Sequence, residues 1–222
     1  MPPGMRSTRF PSMTKYFPTK TSIMHDLERC GVSNAEYLPF AYCPEDHRPV
    51  APTAERQCDV LYVGGADADR RTLFAPIVAD REIRGCFCGG YWDAYPEFRP
   101  FAGGHLDAAA YRTAVASAKI NVVNGRKANR DQHAMRSFEI PAMGGCMILE
   151  DTSEHRRLFG EEGECALYYS TPEELHEKVR RLLKDENLRQ RLATAAHRKI
   201  MDGGHSYADR LVTMGRELGI LN

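Results

Sequence analysis

The chain lacks the signatures of several large protein classes. No apolar run approaches the ~18 residues that cross a bilayer, and tryptophan occurs once in 222 residues. Thirty basic residues cancel thirty acidic ones, so overall charge recruits neither nucleic acid nor an anionic membrane. Gly-x-Gly-x-x-Gly is absent, which disfavours a dinucleotide-dependent enzyme, and no Gly-x-x-x-x-Gly-Lys-Ser/Thr supports an ATPase. The eight histidines form no His-Glu-x-x-His, and the seven cysteines are scattered and odd in number. Their one close pair, Cys86 and Cys88, has neither zinc-knuckle nor thioredoxin spacing. Residues two apart share a strand face, so buried thiols in a reducing compartment are expected. No serine or cysteine stands in a recognisable nucleophile motif. The first ten residues are basic but lead into no apolar signal core. A cytoplasmic protein without a structural metal is expected.

What is present is a soluble composition, 42% hydrophobic and 27% charged, in a length that suits one domain with appendages. A regular alternation begins at residue 59. Asp59 to Val63 reads as a buried strand ending in Gly64-Gly65, and a helix over about 69–80 follows. Ile83 to Cys88 is a second strand, with Gly89-Gly90 after it. Asp107 to Ser117 is helical, Ala118 to Val123 extended, and a short helix through Arg136 leads into the strand Cys146 to Leu149. Glu164 to Tyr169 closes the series. This alternation predicts an α/β fold, a parallel sheet with helices on both faces.

The C-terminal third reads as helices. Thr171-Pro-Glu-Glu174 has the form of a capping box with proline at the first helical position. Leu175, Val179, Leu182 and Leu183 share one face; Leu188, Leu192, Ala195 and Ala196 line a second helix over about 186–201. Tyr207, Leu211, Met214 and Leu218 form a third stripe. All three stripes are expected to be core. Ahead of the alternation, residues 1–22 carry four prolines and read as frayed or as a leftover. Residues 23–30 are mildly helical with Gly31 as C-terminal cap, and 35–44 are extended and broken by proline before a polar loop.

Ligands of an open parallel sheet bind beyond the carboxyl ends of its strands. That rule collects Gly64 to Asp67, Gly89 to Trp92, Asn124 to Lys127 and the loop 129–133 at one rim. Glycines there let backbone N–H groups approach a phosphate, and Arg70, Arg71, Arg126, Lys127 and Arg136 are nearby cations. The most informative stretch runs from His133 to Gly145. Its short helix carries Arg136, a cation for phosphates, and Glu139, a carboxylate for ribose hydroxyls. Gly144 and Gly145 then take the left-handed turn that ends a helix. The competing explanation is an ordinary helix-to-strand connection with Arg136 and Glu139 as an i,i+3 ion pair. Tyr91 and Trp92 either stack on a base or pack the loop.

In their order, Asp59-Val-Leu-Tyr-Val-Gly-Gly65, Tyr111 to Val123, Arg136-Ser-Phe-Glu-Ile-Pro-Ala-Met-Gly-Gly145, Tyr169 to Leu175 and His205-Ser-Tyr-Ala-Asp-Arg210 resemble the C-terminal half of CgeB-like glycosyltransferases. These are of the spore maturation protein type, related to the large retaining family built on the two-domain GT-B architecture. Tyr37 to His47 looks like that family's interdomain crossover, and the resemblance covers residues ~20–215. It implies a Rossmann-like GT-B C-terminal domain with C-terminal helices. Residues 1–57 would be an N-terminal remnant and crossover, 58–204 the nucleotide-sugar-binding domain, and 205–222 a helix packing back across it. It also implies transfer of a sugar from a nucleoside diphosphate sugar to an unknown acceptor (glycan, protein or small molecule), with retention and without a metal or other cofactor.

By the same resemblance Glu139 meets the ribose, Arg136 the diphosphate, and Gly64 and Gly65 form the donor-side loop. Arg70, Lys127, His133, Gly144 and Gly145 are further donor-binding candidates. Asp131, eight residues before Glu139, stands where the wider family has a glutamate against the donor sugar, and is the catalytic candidate. At most a remnant of the acceptor half is present. A partner or second copy then supplies it, or the chain is a non-catalytic nucleotide-sugar-binding or interaction module derived from a truncated enzyme. The face left open predicts self-association. An oxidoreductase or sugar-phosphate enzyme on the same fold is the remaining reading.

Overall fold

The computed structural model describes residues 15–54 and 58–221; the reading of residues 1–14 as frayed lies outside them. Six strands, β1 (Cys58–Val63), β2 (Gly85–Cys88), β3 (Ala102–Gly104), β4 (Ala118–Val123), β5 (Met147–Glu150) and β6 (Leu167–Tyr169), form one sheet. Every pairing is parallel, in the order β3-β2-β1-β4-β5-β6. Among the described residues eight α-helices accompany it: α1 (Met24–Arg29), α2 (Ala68–Ala79), α3 (Ala108–Ser117), α4 (Arg136–Ala142), α5 (Ser153–Phe159), α6 (Pro172–Lys184), α7 (Glu186–Asp202) and α8 (Tyr207–Glu217).

Alternation of side chains across the strands builds two cores. Val60, Tyr62, Ile120, Val122 and Ile148 face α2 and α6, where Phe74, Ile77, Val179 and Leu182 meet them. Leu61, Val123, Met147, Leu149 and Tyr168 face α3, α4 and α7, through Tyr111, Val115, Phe138 and Ile200. Burial on both faces is why these strands are almost continuously apolar. Sequence direction reverses between β1 and β4, the switch point of a doubly wound sheet.

The segment before the sheet is tied to the end of the chain. Tyr42 N–H donates to the His205 carbonyl at 3.1 Å and Tyr207 N–H returns to the Tyr42 carbonyl at 3.0 Å. Arg210 adds a bond from Nε to the Pro39 carbonyl at 3.0 Å. The crossover-like stretch is thus held against the first turn of α8.

Several expectations need correction. The strand expected from Ile83 begins at Gly85, because Ile83 N–H closes a turn onto the Asp80 carbonyl. The strand expected from Glu164 begins at Leu167. Strand β3 and helix α5 carry too few apolar residues to be legible; β3 exists through its parallel pairing with β2, and α5 starts on the Thr152 side chain as N-cap. The Thr171–Glu174 capping box is only half formed. Thr171 does accept the Glu174 N–H, but the Glu174 carboxylate turns to the Ser170 N–H instead; a complete box joins Ser206 and Asp209. The α8 stripe is not core: Leu211 is 66% and Leu218 47% exposed.

A buried polar network fastens α5 to the loop before α4. His133, 2% exposed, donates from Nδ1 to Glu154, while its Nε2 accepts the Phe40 N–H at 3.3 Å. His155 donates from Nδ1 to the Glu150 carbonyl at 2.7 Å and accepts the Ser137 hydroxyl at Nε2, 2.9 Å away. Both rings are therefore neutral, each with one donor and one acceptor nitrogen. Burial lowers the pKa of His133 and of His205, and brings His155 down to about 4. A depressed folded value means that the unfolded chain takes up the proton first, so stability falls as pH drops below about 6.5. For His155 alone the loss by pH 4.5 is on the order of 2 to 3 kcal/mol. Urea unfolding at pH 7 and 4.5 should show a lower midpoint in acid, and an unchanged or higher one would contradict the neutral-ring assignment.

Candidate functional site

The carboxyl ends of β1, β2 and β4 open onto two cavities that share a wall. The larger, about 810 Å³, runs from Gly64-Gly65 past Gly89-Gly90 to Asp93 and His105 beside β3. The smaller, about 400 Å³, lies between the ends of β1 and β4 and is lined by Arg70, Asn124 and Asp131 among others. Gly64, Gly65 and Arg136 line both. They form the waist at the switch point, where an open sheet leaves its crevice.

Local chemistry explains how the waist is held. Tyr62, the last fully buried side chain of β1, donates its hydroxyl to Asn124 Oδ1 at 2.9 Å and so joins the ends of β1 and β4. Burial pushes this phenol up to about 12, so it remains a donor. Trp92 Nε1 donates to the Gly64 carbonyl at 2.7 Å, with Phe74, Phe87 and Phe98 packed around the indole. Trp92 thus packs the loop, and the adjacent Tyr91 alone is turned outward, 75% exposed.

Arg136 is the first residue of α4. Its guanidinium lies 5.9 Å from the Tyr111 ring centre, and its Nε is buried without a hydrogen-bond partner. Arg70 is more constrained: one terminal nitrogen bonds the Gly65 carbonyl at 2.8 Å and lies 3.3 Å from Asp67. Two guanidinium groups beside a pair of glycines make a site suited to an oxyanion, and buried polar groups without partners are uncommon enough to need a reason.

Arg136 and Glu139 are not ion-paired. Glu139, 8% exposed, accepts the Tyr111 hydroxyl at Oε2, 3.1 Å away, and its Oε1 lies 3.8 Å from His47 Nε2. Burial, with Glu139 alongside, raises Tyr111 well above its ordinary value, which keeps that hydroxyl a donor. Glu139 does not line either cavity, because it lies about one helical turn beyond Arg136 and is screened by Tyr111 and His47.

Of the residues singled out in the sequence, Gly64, Gly65, Arg70, Gly89, Gly90, Tyr91, Asn124, Arg126, Asn129, Asp131 and Arg136 come together at these cavities. His133, Lys127, Gly144 and Gly145 do not. His133 is enclosed by the network described above. Lys127 is exposed in a short turn and Gly144, at φ 79°, ends α4 away from the crevice. Gly145 is a packing position, since a Cβ there would meet Asn121, Ile140 and Val115 within 3 Å. Asp131 is already engaged: Oδ1 pairs with Lys20 Nζ at 2.6 Å and Oδ2 accepts the Arg126 N–H at 3.2 Å. Lys20 is a participant that no motif marked; only the folding of the N-terminal segment onto the loop 126–131 reveals it.

The strand order and the switch-point crevice define a doubly wound α/β domain of the GT-B kind. The model of the glycosyl transferase-like family matches residues 70–215, and the chain belongs to that family. Among solved structures, HepE of Anabaena in complex with UDP-glucose is similar at a TM-score of 0.74 and 9% identity, over 97% of this chain and 65% of that one. A glycosyltransferase from Rickettsia africae gives 0.70 at 11% identity, over 94% and 64%. Sucrose-phosphate synthase from Thermosynechococcus elongatus gives 0.66 at 13%, over 89% and 56%. At such identities these are likenesses of fold, and this chain spans 56% to 65% of the length of those three proteins. No curated protein matches the chain.

Proposed function

We propose that this domain binds a nucleoside diphosphate sugar, with the diphosphate at the Gly64-Gly65 and Arg136 waist, and transfers the sugar to an acceptor with retention. The nucleoside lies in the larger cavity and the sugar in the smaller one, beside Asp131. The observation that carries this reading is Arg136, whose unpartnered Nε stands in the wall common to both chambers. A leaving diphosphate is stabilised by preorganised cations and backbone N–H groups. Arg136 and Arg70 supply that charge, and on this reading transfer proceeds without a metal. The ordered motifs favour a CgeB-like member of the family. Calorimetric titration with UDP and GDP tests the reading: binding that Arg136→Ala leaves unchanged would remove it.

Glu139 Oε1, which accepts no hydrogen bond among the described residues, is the acceptor proposed for a ribose hydroxyl once His47 moves aside. Glu139→Gln is expected to weaken UDP binding by about 3–10-fold, the effect of one charge-assisted hydrogen bond becoming a neutral one. Inorganic pyrophosphate, which has no ribose, should bind the variant as it binds the parent. Equal losses for both ligands would show that Glu139 acts on the phosphate site through Tyr111.

One observation favours a second reading, donor binding without transfer. Asp131, the side chain placed to meet the sugar, is neutralised by Lys20 and held by the Arg126 N–H. Release of free sugar from UDP-glucose by the protein rejects this alternative.

A further inference from the structure

The loop after β2 holds an exposed aromatic residue in a left-handed conformation. Tyr91 has φ 71° and is one of two non-glycine residues with positive φ among those described. A left-handed residue of this size is strained, and at 75% exposure burial returns little of that cost. The neighbours hold it there. Ala66 N–H bonds the Gly90 carbonyl at 2.9 Å, and Trp92, 1% exposed, is drawn inward to the Gly64 carbonyl. Tyr91 is left presenting its ring at the outer end of the larger cavity.

Asp93 lines the same end. Its carbonyl accepts Arg99 Nε at 3.2 Å, but its carboxylate has no hydrogen-bond or ion-pair partner among the described residues. Other acids near the crevice are occupied: Asp67 by the Arg70 N–H and Asp131 by Lys20. The remaining walls here are backbone at Gly90 and Gly104 together with His105 and Leu106.

A carboxylate offers two adjacent acceptors and no donor. Guanine presents two adjacent donors on one edge, the N1–H and the 2-amino group, which match it in parallel. Uracil presents one N–H between two carbonyl oxygens, and both oxygens would be repelled. Adenine and cytosine each place an amino group beside an acceptor nitrogen. We propose that the outer end of the larger cavity is a guanine subsite, in which Asp93 accepts the base's two donors and Tyr91 supplies the stacking face. This rests on the donor-site reading above and narrows it to guanosine diphosphate sugars.

Titration of the protein with GDP, UDP, ADP and CDP by calorimetry tests it. GDP is expected to bind at least about 10-fold tighter than the other three, a difference of about 1.4 kcal/mol. Asp93→Asn should bring GDP down to the level of UDP, with the fold checked by circular dichroism. UDP binding as tightly as GDP, or an Asp93→Asn variant that keeps the preference, overturns the guanine subsite while the donor site stands. Failure of all four to bind removes the donor site as well.

Discussion

Replacing Arg136 by alanine is expected to weaken UDP and GDP binding by about 10–100-fold while the protein stays folded. The magnitude follows from removing a charge-assisted contact of ~1.5–3 kcal/mol. The expected stability is the informative half. Nε of Arg136 has no hydrogen-bond partner among the described residues, so the fold loses no hydrogen bond from that atom, only a contact with the Tyr111 ring worth about 0.5–1 kcal/mol. A residue kept for stability would behave the other way round. Arg136→Lys should recover part of the affinity, since the charge remains but the planar fork does not. Because Trp92 bonds directly to Gly64 and is the only tryptophan, its fluorescence reports occupancy of the waist alongside calorimetry. A large drop in unfolding temperature with unchanged nucleotide affinity would make Arg136 a packing residue.

The second large effect is expected at Gly89. Its φ is +127°, and a Cβ there would lie 2.6 Å from the Gly64 carbonyl oxygen and 2.7 Å from its carbon. Both are backbone atoms of the proposed phosphate loop and cannot swing aside like a side-chain tip. Gly89→Ala therefore adds conformational strain to overpacking, about 2–5 kcal/mol together. For a chain of this length that lowers the unfolding temperature by roughly 5–15 °C. It also displaces Gly64-Gly65 and should abolish nucleotide binding. Gly104 is the matched control, with φ +66° and nothing within 4 Å of the added atom. Gly104→Ala should cost about 1 kcal/mol, the strain without the collision. Equal effects of the two substitutions would mean that the approach of the β2 loop to Gly64 is not close in solution.

The two glycine pairs illustrate how far a sequence can be read. Gly64-Gly65 and Gly89-Gly90 are recognisable as loops following strands, because a short, mostly apolar run ending in a pair of glycines is a local pattern. That one pair lies against the other, with Gly89 under the Gly64 carbonyl, is not local and left no trace in either loop. His133 shows the opposite failure. It stands in the most informative stretch of the chain, yet Glu154 and Phe40, far from it in sequence, enclose it. Asp131 does line the crevice, but Lys20 reaches it across more than a hundred residues.

What the sequence determined by itself was the alternation of strands and helices, the two-sided burial of the sheet and the rim on which glycines and arginines collect. Those follow from apolar periodicity, which acts over a few residues and needs no knowledge of the partner. Tertiary structure decided which of the rim's charges are free. A carboxylate or guanidinium is available to a ligand only if nothing else satisfies it, and for Arg136, Asp131, His133 and Asp93 the competing partners are brought near, or kept away, only when strands distant in sequence become neighbours.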